Sequence, residues 1–242
     1  RLTGRNRTDP YNRILGVTLA FVAGAINAGG FLAVQQYTSH MTGIVSSMAD
    51  HLALGAYTLA LAGLGALLSF ILGAACSAIM VNYSRRHNLH SAYALPLVLE
   101  AALLLCFGLL GAQLAAVHGI FVSVTVMLLC FIMGLQNALI TKLSHAEIRT
   151  THITGVVTDI GIELGKMLYW NRAQTPQLAQ VQGDKPRLQL LSALLFSFLL
   201  GGVLGALGFK HLGYVATVPL ALSLMGLVVV PVFDDVKAYF YR

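Results

Sequence analysis

Thr38-Ser39-His40-Met41-Thr42-Gly43-Ile44-Val45-Ser46 and Thr150-Thr151-His152-Ile153-Thr154-Gly155-Val156-Val157-Thr158 are one phrase written twice. Each follows an apolar segment carrying Gly-x-x-Asn-Ala, Gly24 to Ala28 before the first copy and Gly134 to Ala138 before the second. A single transmembrane domain over residues 1–242 therefore divides into two related halves, 14–115 and 120–233. Both phrases interrupt apolar sequence with hydroxyls, an imidazole and a glycine. In a bilayer such a break is tolerated only where protein or a water-filled cavity satisfies its backbone. The repeated phrase marks the expected functional site.

The sequence around the phrases is that of an integral membrane protein, with 57% hydrophobic and 10% charged residues and a mean hydropathy of +0.77. Soluble domains carry roughly a quarter charged residues. The excess of 15 Lys and Arg over 9 Asp and Glu does not imply nucleic acid, because membrane proteins gather basic residues on one side. Cys76, Cys106 and Cys130 lie in apolar runs without close spacing, so neither a disulfide framework nor a zinc motif is indicated. No cofactor or metal is called for. Arg1 is not an initiator, and residues ahead of it are expected.

The fold class predicted is all-α, a polytopic membrane protein with six spans at about residues 14–34, 55–81, 94–115, 120–141, 188–209 and 214–233. Each is long enough to cross the hydrocarbon core at ~1.5 Å per residue. Asp9-Pro10 is expected to interrupt any helix ahead of the first span. A short half-helix follows each phrase, about 44–54 and 156–169, either re-entrant or interfacial. Outer segments echo one another too: Ser69-Phe70-Ile71-Leu72-Gly73 matches Ser197-Phe198-Leu199-Leu200-Gly201, and Leu95-Pro96-Leu97 matches Val218-Pro219-Leu220.

Charge predicts the topology. With both termini cytoplasmic, the basic residues of the N-terminal segment, the 82–93 loop, the 142–187 region and the tail share one side, and only Lys210 lies opposite. Three spans per half then force the halves to insert in opposite senses. This is the inverted-topology repeat of many secondary transporters.

Half-helices starting at Gly43 and Gly155 would offer unpaired N–H groups and a positive dipole end to an anion or carboxylate, with Thr42 and Thr154 as N-caps. His40 and His152 suit hydrogen bonds that fix the broken backbone, since one histidine per half does not specify a metal. Asn27, Gln136 and Asn137 are pore-lining contacts or interhelical hydrogen bonds. Asp159 and Glu163 stand where the first half has Ser47 and His51. Close carboxylates raise one another's proton affinity, while an ion pair of Glu163 with Lys166 is the plainer reading. Glu100 is a lone carboxylate within the third span, opposite Ser223 in the repeat. A charge there costs ~2.5–3.5 kcal/mol on insertion scales and so faces a cavity or a partner, as proton carrier, counter-ion or structural acceptor. His87, His90, His118, His145 and His211 fall in loops and are expected to be solvated. Gly201 and Gly205 form a small-residue face usable inside the bundle or at a homodimer contact.

Ser39-His40-Met41-Thr42-Gly43, Gly134-Leu135-Gln136-Asn137-Ala138 and Thr150-Thr151-His152-Ile153-Thr154-Gly155 resemble the signatures of the YoaK-type family of bacterial six-helix membrane proteins, a domain of unknown function. The resemblance spans nearly the whole chain and implies a bacterial inner-membrane protein that handles a small molecule. Asn27 stands where an acidic residue is common, and Ile44 where Asn is common. The function expected is secondary transport of a small polar or charged molecule by alternating access, with coupling to protons through a carboxylate and lipid as the surrounding partner. An uncoupled channel is the alternative. A membrane-embedded enzyme is not expected, for the sequence contains no nucleophile-elbow, zincin or kinase phrase.

Overall fold

The computed structural model describes residues 9–87, 93–114, 120–143, 152–169 and 180–240. His90, His118, His145 and the Thr150-Thr151 pair lie outside the described residues, as do the basic residues at 1–8 and 242. Every described element is helical: α1 (Asp9–Val34), α2 (Met41–Ala53), α3 (Tyr57–Arg86), α4 (Ala94–Leu114), α5 (Ile120–Leu143), α6 (Ile153–Leu168), α7 (Lys185–Leu212) and α8 (Thr217–Phe240), with a short 3-10 turn, Gly213–Ala216, between the last two.

Three boundaries correct the sequence reading. The first helix begins at Asp9 and runs through Pro10, because a proline in the first turn removes only an N–H that has no intrahelical acceptor. The short helices begin at Met41 and Ile153, two residues before Gly43 and Gly155. Their N-cap residues are His40 and His152, where ψ of 72° and 56° leaves the helical region, so Thr42 and Thr154 sit one turn position inside the helix and do not cap.

Among the described residues four stretches are long and apolar enough to cross a membrane: Arg13–Val34, Tyr57–Arg86, Val124–Lys142 and Lys185–Val229. The number differs from six because α7 and α8 run on as one 45-residue stretch, and the apolar part of α4, Ala94–Leu109, is shorter. Leucines such as Leu72, Leu109, Leu199 and Leu222 are more than half exposed on the outer surface. In water that surface would be unfavourable by ~25 cal/mol per Å²; in lipid it is not.

Packing follows the sequence repeat in a crossed way. The most extensive helix pairings are α1 along α7 and α3 along α5, so the first helix of each half lies on the long helix that follows the break in the other half. Glycines permit the approach. A Cβ on Gly24 would overlap the carbonyl oxygen of Phe198, and one on Gly201 that of Phe21; Gly134 with Phe70 and Gly73 with Phe131 repeat the arrangement. Where lipid removes any hydrophobic drive between helices, such backbone proximity supplies the van der Waals contact that joins them. Residues 14–30 and 124–140 also match in burial position for position. Ser197 adds a hydrogen bond from its hydroxyl to the Val17 carbonyl at 2.8 Å. Gly201 and Gly205 both face α1 backbone, so the small-residue face is used within the protein.

The short helices rest on their own neighbours, α2 on α3 and α6 on α7. Gly55 at φ 73° ends α2, with Ala56 N–H donating to His51 O at 2.8 Å and Gly55 N–H to Leu52 O at 3.2 Å. That pattern is a Schellman stop, which turns the chain back along α3.

Candidate functional site: a cavity between the two helix breaks

The first break is built by α1. Its helix ends at Val34, and Gln35 takes φ 56° while donating its N–H to Phe31 O at 2.8 Å. The reversal lets Tyr37 stack on Phe31 with ring centroids 4.5 Å apart. Asn27 then holds the returning strand of chain: its side-chain oxygen accepts from the Ser39 N–H at 3.3 Å and from the Ser39 hydroxyl at 2.9 Å. One turn later α2 starts. Met41 N–H donates to Ser39 O and Ile44 N–H to His40 O, while the N–H groups of Thr42 and Gly43 have no acceptor among the described residues. An acceptor or negative charge placed before them would be stabilised.

Both breaks open onto one cavity of about 510 Å³. Its wall is made of repeat-related pairs: Asn27 and Asn137, His40 and His152, Met41 and Ile153, Thr42 and Thr154, Phe70 and Phe198, with Tyr37 and Ser39 added from the first half. Amides, hydroxyls, imidazoles and three aromatic rings converge there, and among the described residues none of the lining is Asp, Glu, Lys or Arg. A second cavity of about 470 Å³ lies beside α2, walled in part by Gln35, Ser47, Met48, His51 and Leu59. Tyr37 and His40 line both. Ser47 Oγ and His51 Nδ1 are 3.4 Å apart on the wall of the second.

Of the residues singled out from sequence, Asn27, His40, Thr42, Asn137, His152 and Thr154 meet at the central cavity. Five do not. Gly43 faces the smaller cavity and lies under the His40 ring, which a Cβ there would strike; Gly155 has open space before it. Gln136 is fully buried and donates to the Leu19 carbonyl at 3.2 Å, so it is an interhelical contact between α5 and α1. Glu100 is fully buried in α4, and neither carboxyl oxygen has a hydrogen-bond partner among the described residues. Asp159 is bound to Arg187 at 3.1 Å.

Glu163 corrects the expectation of raised proton affinity. Its buried carboxyl accepts from Lys166 Nζ at 2.8 Å and from the Asp184 N–H at 2.8 Å, with Arg187 at 3.7 Å. The Lys166 hydrogen bond first, and then that of Asp184, hold it below the ordinary carboxylate value. The expected Glu163 to Lys166 pair is present, and it extends to the start of α7.

The sequence reading did not select Phe70, Phe198, Tyr37, Ser39, Met41 or Ile153. Phe70 and Phe198 had a signal, for they occupy the same place in the matched Ser-Phe-x-Leu-Gly segments.

Sequence comparison finds relatives of this chain. A family profile described as "Protein of unknown function (DUF1275)" matches residues 15–230. The "UPF0700 transmembrane protein YoaK" of Bacillus subtilis (strain 168) is 26% identical over 163 residues, which is 67% of this chain and 71% of the relative. No solved structure matches. Together with the apolar helices, the transmembrane relative identifies a multi-pass membrane protein.

Proposed function

We propose that this chain, which belongs to the DUF1275 family of proteins of unknown function, is a secondary transporter that moves a small polar molecule by alternating access. One observation carries the reading: two helix breaks from different halves meet at a single cavity whose lining residues are related by the sequence repeat. In this reading the protein has six spans arranged as two inverted three-helix repeats, sits in the bacterial inner membrane with both termini cytoplasmic, and performs no covalent chemistry. Broken helices at a repeat interface are how many transporters bring backbone N–H groups to a substrate within the bilayer. The crossed pairing of α1 with α7 and α5 with α3 supports two rigid units that rock about the cavity. Among the described residues the lining is uncharged, which favours a polar molecule held by hydrogen bonds.

The test is uptake by proteoliposomes across a panel of neutral, anionic and cationic metabolites, with Asn27→Ala and Asn137→Ala beside the unmodified protein. Saturable uptake of a polar compound, reduced in both variants, is the expected result. Flux that does not saturate supports a channel instead, and uptake at the level of empty vesicles across the panel overturns the reading.

A further inference from the structure

The seam between short helix and following long helix differs between the halves. The registers that pair Thr42 with Thr154 and Phe70 with Phe198 also pair Ser47 with Asp159, Met48 with Ile160, His51 with Glu163, Leu59 with Arg187 and Gly63 with Leu191. In the first half, the first member of every pair lines the open 470 Å³ cavity. In the second half three of the five equivalents, Asp159, Glu163 and Arg187, are joined by ion pairs. Arg187 is bonded to Asp159 at 3.1 Å and lies 3.7 Å from Glu163. Glu163 in turn holds the Asp184 N–H at the start of α7, and buried Leu191 stands in the register of Gly63, against which Met48 packs in the first half.

We propose that Asp159, Glu163 and Arg187 form a gate: the described conformation opens toward the central cavity along the α2 seam and is shut along the α6 seam by this network. Tyr37 and His40 line both the α2 cavity and the central cavity, so the two adjoin at these side chains. The network is suited to repeated opening. Arg187 and Asp159 are 52% and 40% exposed, and exposed pairs of this kind are weak enough to break. The buried Glu163 keeps Lys166 at 2.8 Å, so Arg187 can withdraw without leaving an unpaired buried carboxylate.

The gate rests on the transporter reading for its purpose, but its test needs no substrate. In the purified full chain with Cys76, Cys106 and Cys130 replaced by alanine, maleimide labelling rates are measured at Met48→Cys and, separately, at Ile160→Cys. Arg187→Leu is then added, which installs the residue type of the first half. We expect labelling at position 160 to rise roughly ten-fold and labelling at position 48 to fall several-fold, because the two openings draw on one equilibrium. Arg187→Lys should restore the original pattern. Unchanged labelling at 160, or faster labelling at both positions, overturns the gate. If Arg187→Leu aggregates, Asp159→Asn carries the same expectation. Shifted labelling without uptake sinks only the transporter reading, and uptake with unshifted labelling sinks only the gate.

Discussion

Asn27 Oδ1 accepts two hydrogen bonds from Ser39, one from the backbone N–H at 3.3 Å and one from the hydroxyl at 2.9 Å. A single amide in α1 thereby satisfies the chain where it returns from the break, at the wall of the central cavity. Asn27→Ala leaves a backbone donor unpaired, which costs about 1–3 kcal/mol. Asn27→Asp keeps the acceptor oxygen and should unfold near the unmodified temperature. Thermal unfolding in detergent checks the order; equal losses in the two variants would show that the acceptor is not what matters.

Gly43 and Gly155 occupy the same place in the repeated phrase, yet opposite outcomes are expected on substitution. A methyl group on Gly43 strikes the His40 ring, whereas nothing lies within 4 Å of the corresponding position on Gly155. Gly43→Ala should expel His40 from the wall shared by the two cavities and lower ligand affinity. Gly155→Ala should leave affinity unchanged and, on an exposed helix, raise stability by up to about 1 kcal/mol through helix propensity. Equal affinities in the two variants would remove His40 from the partition.

Much of this asymmetry was out of reach of the sequence, although the frame was not. The doubled phrase and its upstream Asn located the central cavity because a hydroxyl and imidazole cluster inside apolar sequence has few places to go. The reciprocal contacts of Gly24 with Phe198 and Gly73 with Phe131 were implicit in the matched Ser-Phe-x-Leu-Gly segments, but composition cannot say which helix meets which. Thr42 and Thr154 are good capping types, and the helix nevertheless starts one residue before each, since His40 and His152 leave the helical region and neither side chain caps. Gln136 and Asn137 read alike, as pore contacts or interhelical hydrogen bonds, and sequence did not separate the two roles. One residue along a helix turns a side chain by ~100°, which sends Gln136 to Leu19 and Asn137 to the cavity. Arg187 drew no notice because its partners are 28 and 24 residues away across a loop.

Acid should loosen α6. The Lys166 hydrogen bond and that of the Asp184 N–H hold the Glu163 carboxyl below its ordinary value in the folded protein. A depressed carboxylate contributes stability that is complete above the unfolded value and is lost as the pH falls through the folded one. Maleimide labelling at Ile160→Cys should therefore speed up as the solution is taken below the ordinary carboxylate range, and Glu163→Gln should label quickly at neutral pH already. A rate independent of pH in the Glu163-containing protein, after correction for the reagent's own pH dependence, would separate Glu163 from the docking of α6.

Glu100 poses the reverse case, a buried acid that does nothing visible for the fold. Neither carboxyl oxygen has a partner among the described residues, and Leu97, Ala101 and Leu104, buried on the same helix, are apolar. A buried polar group without a hydrogen bond costs about 1–3 kcal/mol, and a hydrocarbon of similar size removes that cost. Glu100→Leu should accordingly unfold at a higher temperature than the unmodified protein. Under the transporter proposal, carrying a proton is the role to test for Glu100. Uptake by Glu100→Leu and Glu100→Gln should then no longer respond to an imposed proton gradient, although binding at the distant central cavity is kept. If the stabilised variant still transports with the original pH profile, Glu100 is no part of the coupling.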